Sequence, residues 1–164
     1  MTLKMEFLKR ITLAGAIAWP VAIFLVTASP TPARADRCED IANQLKGQVD
    51  GLKVGITAAN VIYLSHPLAK ELSLGCANRD YSNELYAKAD GRKPKPEFVE
   101  LVASAAAIVF TLPKDDMLKG ASRCLSRLGI FRGDDVSIRY KRLDMNCTRT
   151  KTEVSIAIQR GKDQ

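Results

Sequence analysis

Residues 135–160 read DVSIRYKRLDMNCTRTKTEVSIAIQR. Val136, Ile138 and Tyr140 alternate with Ser137, Arg139 and Lys141, and Val154, Ile156 and Ile158 alternate with Glu153, Ser155, Ala157 and Gln159. A period of two with β-branched residues is what a half-buried strand requires. The stretch therefore predicts a β-hairpin, with the polar run Asn146-Cys147-Thr148-Arg149 between its strands. The apolar positions are even-numbered up to Tyr140 and odd-numbered at Leu143, Met145 and Cys147. Such a change of phase turns side chains to the other face unless a bulge absorbs it, so a bulge is expected near Lys141-Arg142.

Upstream of the hairpin, Asp115 or Asp116 can cap a helix running to Leu128, with Gly129 as its stop. Met117, Ala121, Cys124, Leu125 and Leu128 form its inner face; Lys119, Arg123 and Arg127 lie outside. Arg132-Gly133-Asp134 reads as the turn between this helix and the hairpin. Phe98 to Leu112 is apolar on nearly every side, diluted by Glu100, Ser104 and Thr111, which predicts a central helix. Pro96 suits its first position and Pro113 ends it.

Residues 77–96 are rich in turn and breaker residues. Ser82 to Lys88 has room for a turn or two of helix, and Arg92-Lys93-Pro94-Lys95-Pro96 reads as a stiff basic connector. Val54 to Ser65 reads as one strand and Lys70 to Cys76 as a second, interrupted by His66-Pro67-Leu68-Ala69, which makes another hairpin. Cys38 to Leu52 carries apolar residues at helical spacing, with Asp36 as its cap. The expected class is α+β in two layers: an antiparallel sheet of two hairpins with about three helices on one face, in the order α-β-β-α-α-β-β.

The first 35 residues read as a secretory signal peptide. Lys4, Lys9 and Arg10 precede the uncharged run Ile11–Ser29, and Ala33-Arg34-Ala35 fits the small-x-small rule, so cleavage is expected between Ala35 and Asp36. The alternative is an uncleaved leader holding the protein at a membrane, since the run approaches the ~20 residues of a span. Lys4, Lys9, Arg10 and Arg34 against Glu6 leave +3 in residues 1–35, so +4 of the +7 belongs to residues 36–164. That charge suits solubility or an anionic surface, and it falls short of a nucleic-acid-binding case. Residues 36–164 are enough for a single domain with a real core.

Cys38, Cys76, Cys124 and Cys147 all lie beyond the leader. An even number in an exported chain reads as disulfides, and none of the spacings is that of a zinc site. Helix-to-strand bridges are favoured if the helices cover one face of the sheet. With one strand rising and the next returning, Cys38 and Cys76 fall at opposite ends; Cys147 lies about 40 Å from Asp135 along an extended strand at ~3.3 Å per residue. Bridged Cα atoms lie within roughly 7 Å. The expected pairing is therefore Cys38–Cys147 with Cys76–Cys124.

No phosphate loop, dinucleotide fingerprint, zincin, Cys-x-x-Cys or EF-hand pattern occurs, so no cofactor or metal is expected. His66 is the only histidine, and Ser65 beside it would point to the opposite face of a strand, which leaves His66 as a turn residue before Pro67. Glu97, Glu100, Asp115, Asp116, Asp134 and Asp135 are the carboxylates that a small hydrolase could use, though helix starts and caps account for most of them. The outward side of the hairpin carries Arg139, Lys141, Arg142, Arg149 and Lys151, a candidate docking face for an acidic envelope protein or an anionic surface. The functional expectation is a periplasmic or secreted, non-catalytic binding or adaptor module. A carboxylate-dependent hydrolase and a membrane-peripheral protein are the alternatives.

Overall fold

A computed structural model describes residues 34–77, 82–129 and 133–161. Residues 1–33, which hold most of the expected leader, lie outside them, as does Arg132. Among the described residues the class is mixed α+β, with a seven-stranded antiparallel sheet and three helices. In chain order the elements are α1 (Arg34–Gln48), β1 (Lys53–Ala58), β2 (Val61–His66), β3 (Ala69–Gly75), β4 (Glu84–Asp90), α2 (Pro96–Phe110), α3 (Lys114–Ser126), β5 (Asp135–Tyr140), β6 (Leu143–Arg149) and β7 (Glu153–Arg160). The sheet order is β1-β2-β3-β4-β7-β6-β5, so β4 is its middle strand and β1 and β5 are its edges. The expected order of two hairpins is thus replaced by two three-stranded meanders flanking β4.

Three strand readings are corrected. No bulge forms at Lys141-Arg142; those residues are the turn itself, with φ of 49° and 65°, the left-handed pair of a type I′ hairpin. Tyr140 pairs Leu143, Ile138 pairs Met145 and Val136 pairs Cys147. Across a two-residue turn, partners have opposite parity, so the phase change marks a chain reversal. Val54–Ser65 is not one strand either. It folds back at Ala59-Asn60, again with both φ values positive, 49° and 66°. Here the register shifts between Val54 and Thr57, an irregularity that restores the parity and hides the turn. Residues 84–90 form β4 instead of helical turns, because Leu85, Ala87 and Ala89 alternate with Glu84, Tyr86 and Lys88 and bury one side.

Both hidden turns move cysteines. The reversal at Ala59-Asn60 sends β3 back toward the start of α1, and Cys76 donates its backbone N–H to the Asn60 carbonyl at 2.9 Å. Cys38 and Cys76 are therefore at the same end, and they form a disulfide with a Cα separation of 5.6 Å. The reversal at Lys141-Arg142 brings Cys147 beside Val136, under α3, where it bonds Cys124 with Cα atoms 6.0 Å apart. The pairing is Cys38–Cys76 and Cys124–Cys147, not the crossed pairing that the sequence suggested. The expectation of helix-to-sheet bridges holds; the direction count behind the connectivity missed one reversal in each half.

The core lies against one face of the sheet. Ile62 and Leu64 stand beside Leu74 and Leu72, then Leu85 and Ala87, then Ile158 and Ile156, then Met145 and Cys147, then Ile138 and Val136. Ala42 and Leu45 of α1, Phe98, Val102 and Phe110 of α2, and Met117 and Leu125 of α3 complete one apolar cluster with them. α2 begins at Pro96, as its missing N–H allows, and closes on a left-handed Thr111 whose N–H reaches the Ala107 carbonyl. The cap of α3 is Pro113, with Asp115 and Asp116 in its first turn, so neither aspartate is the cap. They favour the positive end of the helix dipole instead. Asp36, likewise, lies inside α1 and not at its cap. Gly120 lets α3 approach the sheet: a Cβ there would stand 2.7 Å from Met145 Cε and 2.8 Å from Tyr140 Cδ1.

Candidate functional site

α2 and α3 are joined by Thr111, Leu112 and Pro113 and pack side by side. Arg92, Lys93 and Pro94 of the segment leading into α2 line one hollow with Ser122, Leu125 and Ser126 of α3. These elements enclose a cleft of about 670 Å³, within the size range of small-molecule sites. Its floor and walls are aliphatic: Pro94, Pro96, Val99, Leu118, Leu125 and Leu128. Ser122 and Ser126 add hydroxyls, and the Ser126 hydroxyl donates to its own helix at the Arg123 carbonyl, 3.3 Å away. α2 buries Phe98, Leu101, Val102 and Ala105 toward the sheet, which leaves Val99 and Glu100 to the cleft side.

One end of the cleft is cationic. Arg149, at the end of β6, donates from Nε and Nη2 to Asp134 Oδ1 at 3.0 and 2.9 Å, and from Nη1 to the Leu128 carbonyl at 3.4 Å. Its guanidinium is thereby fixed at the cleft wall. Arg92 stands 3.7 Å from the same Asp134 oxygen, and Lys93 follows it on the rim. The Arg92–Pro96 motif, read from sequence as a connector, is thus the lip of a cavity.

The expected docking face is divided by the fold. Arg139, Lys141 and Arg142 cluster at the β5–β6 turn, where Lys141 lies 3.6 Å from Asp116 and Arg139 lies 3.8 Å from Asp144. Arg149 and Lys151 lie at the far end of β6, about 20 Å away at ~3.3 Å per residue. Only Arg149 of the five lines the cleft. Among the six carboxylates considered for hydrolysis, Glu100 alone lines it; Asp134 is engaged by Arg149, and Asp116 by Lys141. His66 stays structural. Its Nδ1 accepts from the Leu68 N–H at 3.1 Å and its Nε2 lies 2.9 Å from the Asp50 carbonyl, so it ties the α1–β1 connection to the β2–β3 turn. The Ala35–Asp36 junction lies in the first turn of α1.

A second polar cluster lies where β3, β4 and β7 meet. Lys70 bridges Glu153 at 2.5 Å and Asp90 at 3.3 Å, and Lys88 bridges Glu71 at 2.8 Å and Glu153 at 3.4 Å. Hydrogen bonding to Lys70 holds the Glu153 carboxyl below its usual value, and the bonds to Glu153 and Glu71 raise Lys70 and Lys88 respectively. Every charge there has a partner, which is the pattern of a surface ion network.

Sequence reading missed Val99, Leu118, Ser122, Leu125, Ser126 and Leu128 as a site. The signal present was surplus: Val99 and Leu118 are apolar residues that the sheet-facing stripes do not need. Among the described residues no helix is long and apolar enough to cross a membrane, and no three His, Cys, Asp or Glu side chains are grouped to hold a metal. No protein-family model, curated protein or solved structure matches the chain.

Proposed function

We propose that the protein is an exported, non-catalytic binding module, a single two-layer domain stapled by two disulfides, and that the cleft between α2, α3 and the Arg92–Pro96 segment is its ligand site. Both disulfides suit an oxidising compartment outside the cytosol. The observation that carries the reading is the cleft itself: an aliphatic cavity with charged groups gathered at its mouth. A pocket of mostly apolar lining with a few placed polar groups is the usual form of a small-molecule site. The partner is then a small ligand from the envelope, and an anionic surface is where the +4 outside the leader would help it collect.

The test uses the fluorescent probe 1-anilinonaphthalene-8-sulfonate, which combines an apolar body with one negative charge. The wild-type protein should bind it at one saturable site. Ser122→Trp fills the cleft from the exposed side of α3 and should weaken binding by about tenfold or more, some 1.4 kcal/mol. Asn43→Trp, placed in the 150 Å³ hollow between α1 and β1, should leave it unchanged. Equal binding by all three proteins would remove the cleft from consideration.

A further inference from the structure

The lining of the cleft narrows the chemistry of its occupant. Its walls are two helices, whose backbone N–H and C=O groups are bonded within the helices, and a segment interrupted by two prolines. A peptide laid in this cleft would find few backbone partners for its own amides, and a buried unpaired amide is costly. Among the described residues the lining includes no aromatic side chain on which a planar ring could stack. An unbranched aliphatic tail meets both conditions, since it brings no polar groups and adapts to the surfaces of Val99, Leu118, Leu125 and Leu128.

The mouth sets the head group. Among the described residues three cations line the cleft, Arg92, Lys93 and Arg149, against one carboxylate, Glu100. Asp134, paired through Oδ1 with Nε and Nη2 of Arg149, offsets one of these charges, and Arg92 and Lys93 keep this end net positive. Glu100 lies one helical turn beyond Pro96, about 6 Å along the axis at 1.5 Å per residue, and so sits away from the Arg92–Lys93 corner. Lys93 has no ion-pair partner among the described residues, and Arg92 has only its 3.7 Å approach to Asp134. A negative head placed there would gain two partly free cations beside a fixed guanidinium.

On the reading that this cleft is the ligand site, we infer that the protein binds a single-headed anionic amphiphile, an aliphatic tail in the cleft with a carboxylate or phosphate monoester at Arg92, Lys93 and Arg149. The test is competition against 1-anilinonaphthalene-8-sulfonate by dodecanoate, dodecyl phosphate, dodecanol and dodecyltrimethylammonium, each below its micellar concentration. The two anions should displace the probe at concentrations about tenfold or more below dodecanol, and the cation should be weakest. Preference between the two anions separates a free fatty carboxylate from a lipid phosphate, and either supports the inference. In the Arg92→Gln, Lys93→Gln double variant, whose changes are in an exposed segment, dodecanoate should fall to within about threefold of dodecanol. Near-ultraviolet circular dichroism checks that the variant keeps its fold. Dodecanol equal to dodecanoate in the wild type, or discrimination unchanged in the double variant, would overturn the head-group assignment while the cleft remained a site. A peptide with a free C-terminal carboxylate binding more tightly than dodecanoate would overturn the tail. Failure of the probe itself to bind would remove the underlying reading.

Discussion

Outward from β4, the N-terminal arm (α1 and β1–β3) and the C-terminal arm (α3 and β5–β7) repeat one order of elements: a helix, then a three-stranded meander whose first turn is type I′. Each arm ties its helix to its strands with one disulfide. Antiparallel pairing throughout makes β3 and β7 run the same way on either side of β4, so no rotation superposes the arms while keeping the core on one face. They differ in what they enclose. The N-terminal arm places Cys38 and Cys76 at the end of its strands and has small hollows, of about 150 Å³ under α1 and about 230 Å³ at the β2–β3 turn. In the C-terminal arm Cys124 and Cys147 are wholly buried, Gly120 brings α3 close to the sheet, and the opened space lies on the outer side of α3 against α2. Pinning a helix on its inner side leaves its outer side free to build a site.

The largest expected difference between the arms concerns their staples. Replacing both cysteines of a bridge with alanine should cost about 2–5 kcal/mol in either arm. Loop length favours the N-terminal bridge, with 38 residues of separation against 23. By chain entropy that advantage is only about 0.4 kcal/mol. Cys124 Sγ lies 3.8 Å from the Val136 carbonyl oxygen and 3.7 Å from that of Met145, so its loss opens a void under α3. Such a void costs about 1 kcal/mol or more. Denaturant unfolding should therefore show the Cys124→Ala, Cys147→Ala protein to be the less stable; the reverse order would mean that loop entropy governs.

Next come the two helical glycines. Gly120→Ala should destabilise by about 1–3 kcal/mol, since the new methyl meets Met145 and Tyr140 below contact distance. Gly47→Ala in α1 meets nothing within 4 Å and should stabilise by about 0.5–1 kcal/mol. Thermal melts of the two variants should move in opposite directions.

The two turns give a smaller contrast. Lys141 and Arg142 adopt left-handed φ with side chains that disfavour it, so Lys141→Asn with Arg142→Gly should stabilise by about 1–2 kcal/mol. Asn60 already suits its turn and donates Nδ2 to the Cys76 carbonyl at 2.9 Å, so Asn60→Gly should lose about 1 kcal/mol. Equal responses at both turns would show that the Asn60 bond contributes nothing.

The smallest effect is on the seam between the arms, where Glu153 of β7 joins Lys70 of β3 and Lys88 of β4. Glu153 is lowered from an ordinary 4.5. Its contribution is therefore present above that value and lost as pH falls through the lower, folded one. Lys70 and Lys88 are raised, so their contribution is full below an ordinary 10.5 and lost as pH rises through the folded values. Glu153→Gln should flatten both limbs of a plot of melting temperature against pH, by a modest amount because the groups are exposed. Unchanged limbs would place the pH dependence elsewhere.

Legibility followed from which physical signals act at short range. Apolar stripes placed α1, α2 and α3 to within a few residues, and alternation placed β5, β7 and most of β3. What failed was direction. Lys141-Arg142 bears no turn-forming residue, and its only trace was the parity change from Tyr140 to Leu143. At Ala59-Asn60 even that trace was cancelled by the shift between Val54 and Thr57. β4 was obscured because Ala87, Ala89, Glu84 and Lys88 prefer helices, and pairing on both sides overrides that preference. Each missed reversal then carried a cysteine to the wrong end. The cleft was less legible still. Arg92, Leu118 and Arg149 come from three separate segments, and only the packing of α3 against α2 brings them together.

The claim that the site lies where α3 of the C-terminal arm meets α2 and the Arg92–Pro96 segment is tested most directly by recording amide NMR spectra during a titration with dodecanoate. The expected result is saturable shifts centred on Arg92, Lys93, Val99, Leu118, Ser122, Leu125 and Arg149, with Glu39, Asn43 and Thr57 of the N-terminal arm unmoved. Shifts centred on α1 and β1, or none that saturate, would contradict it.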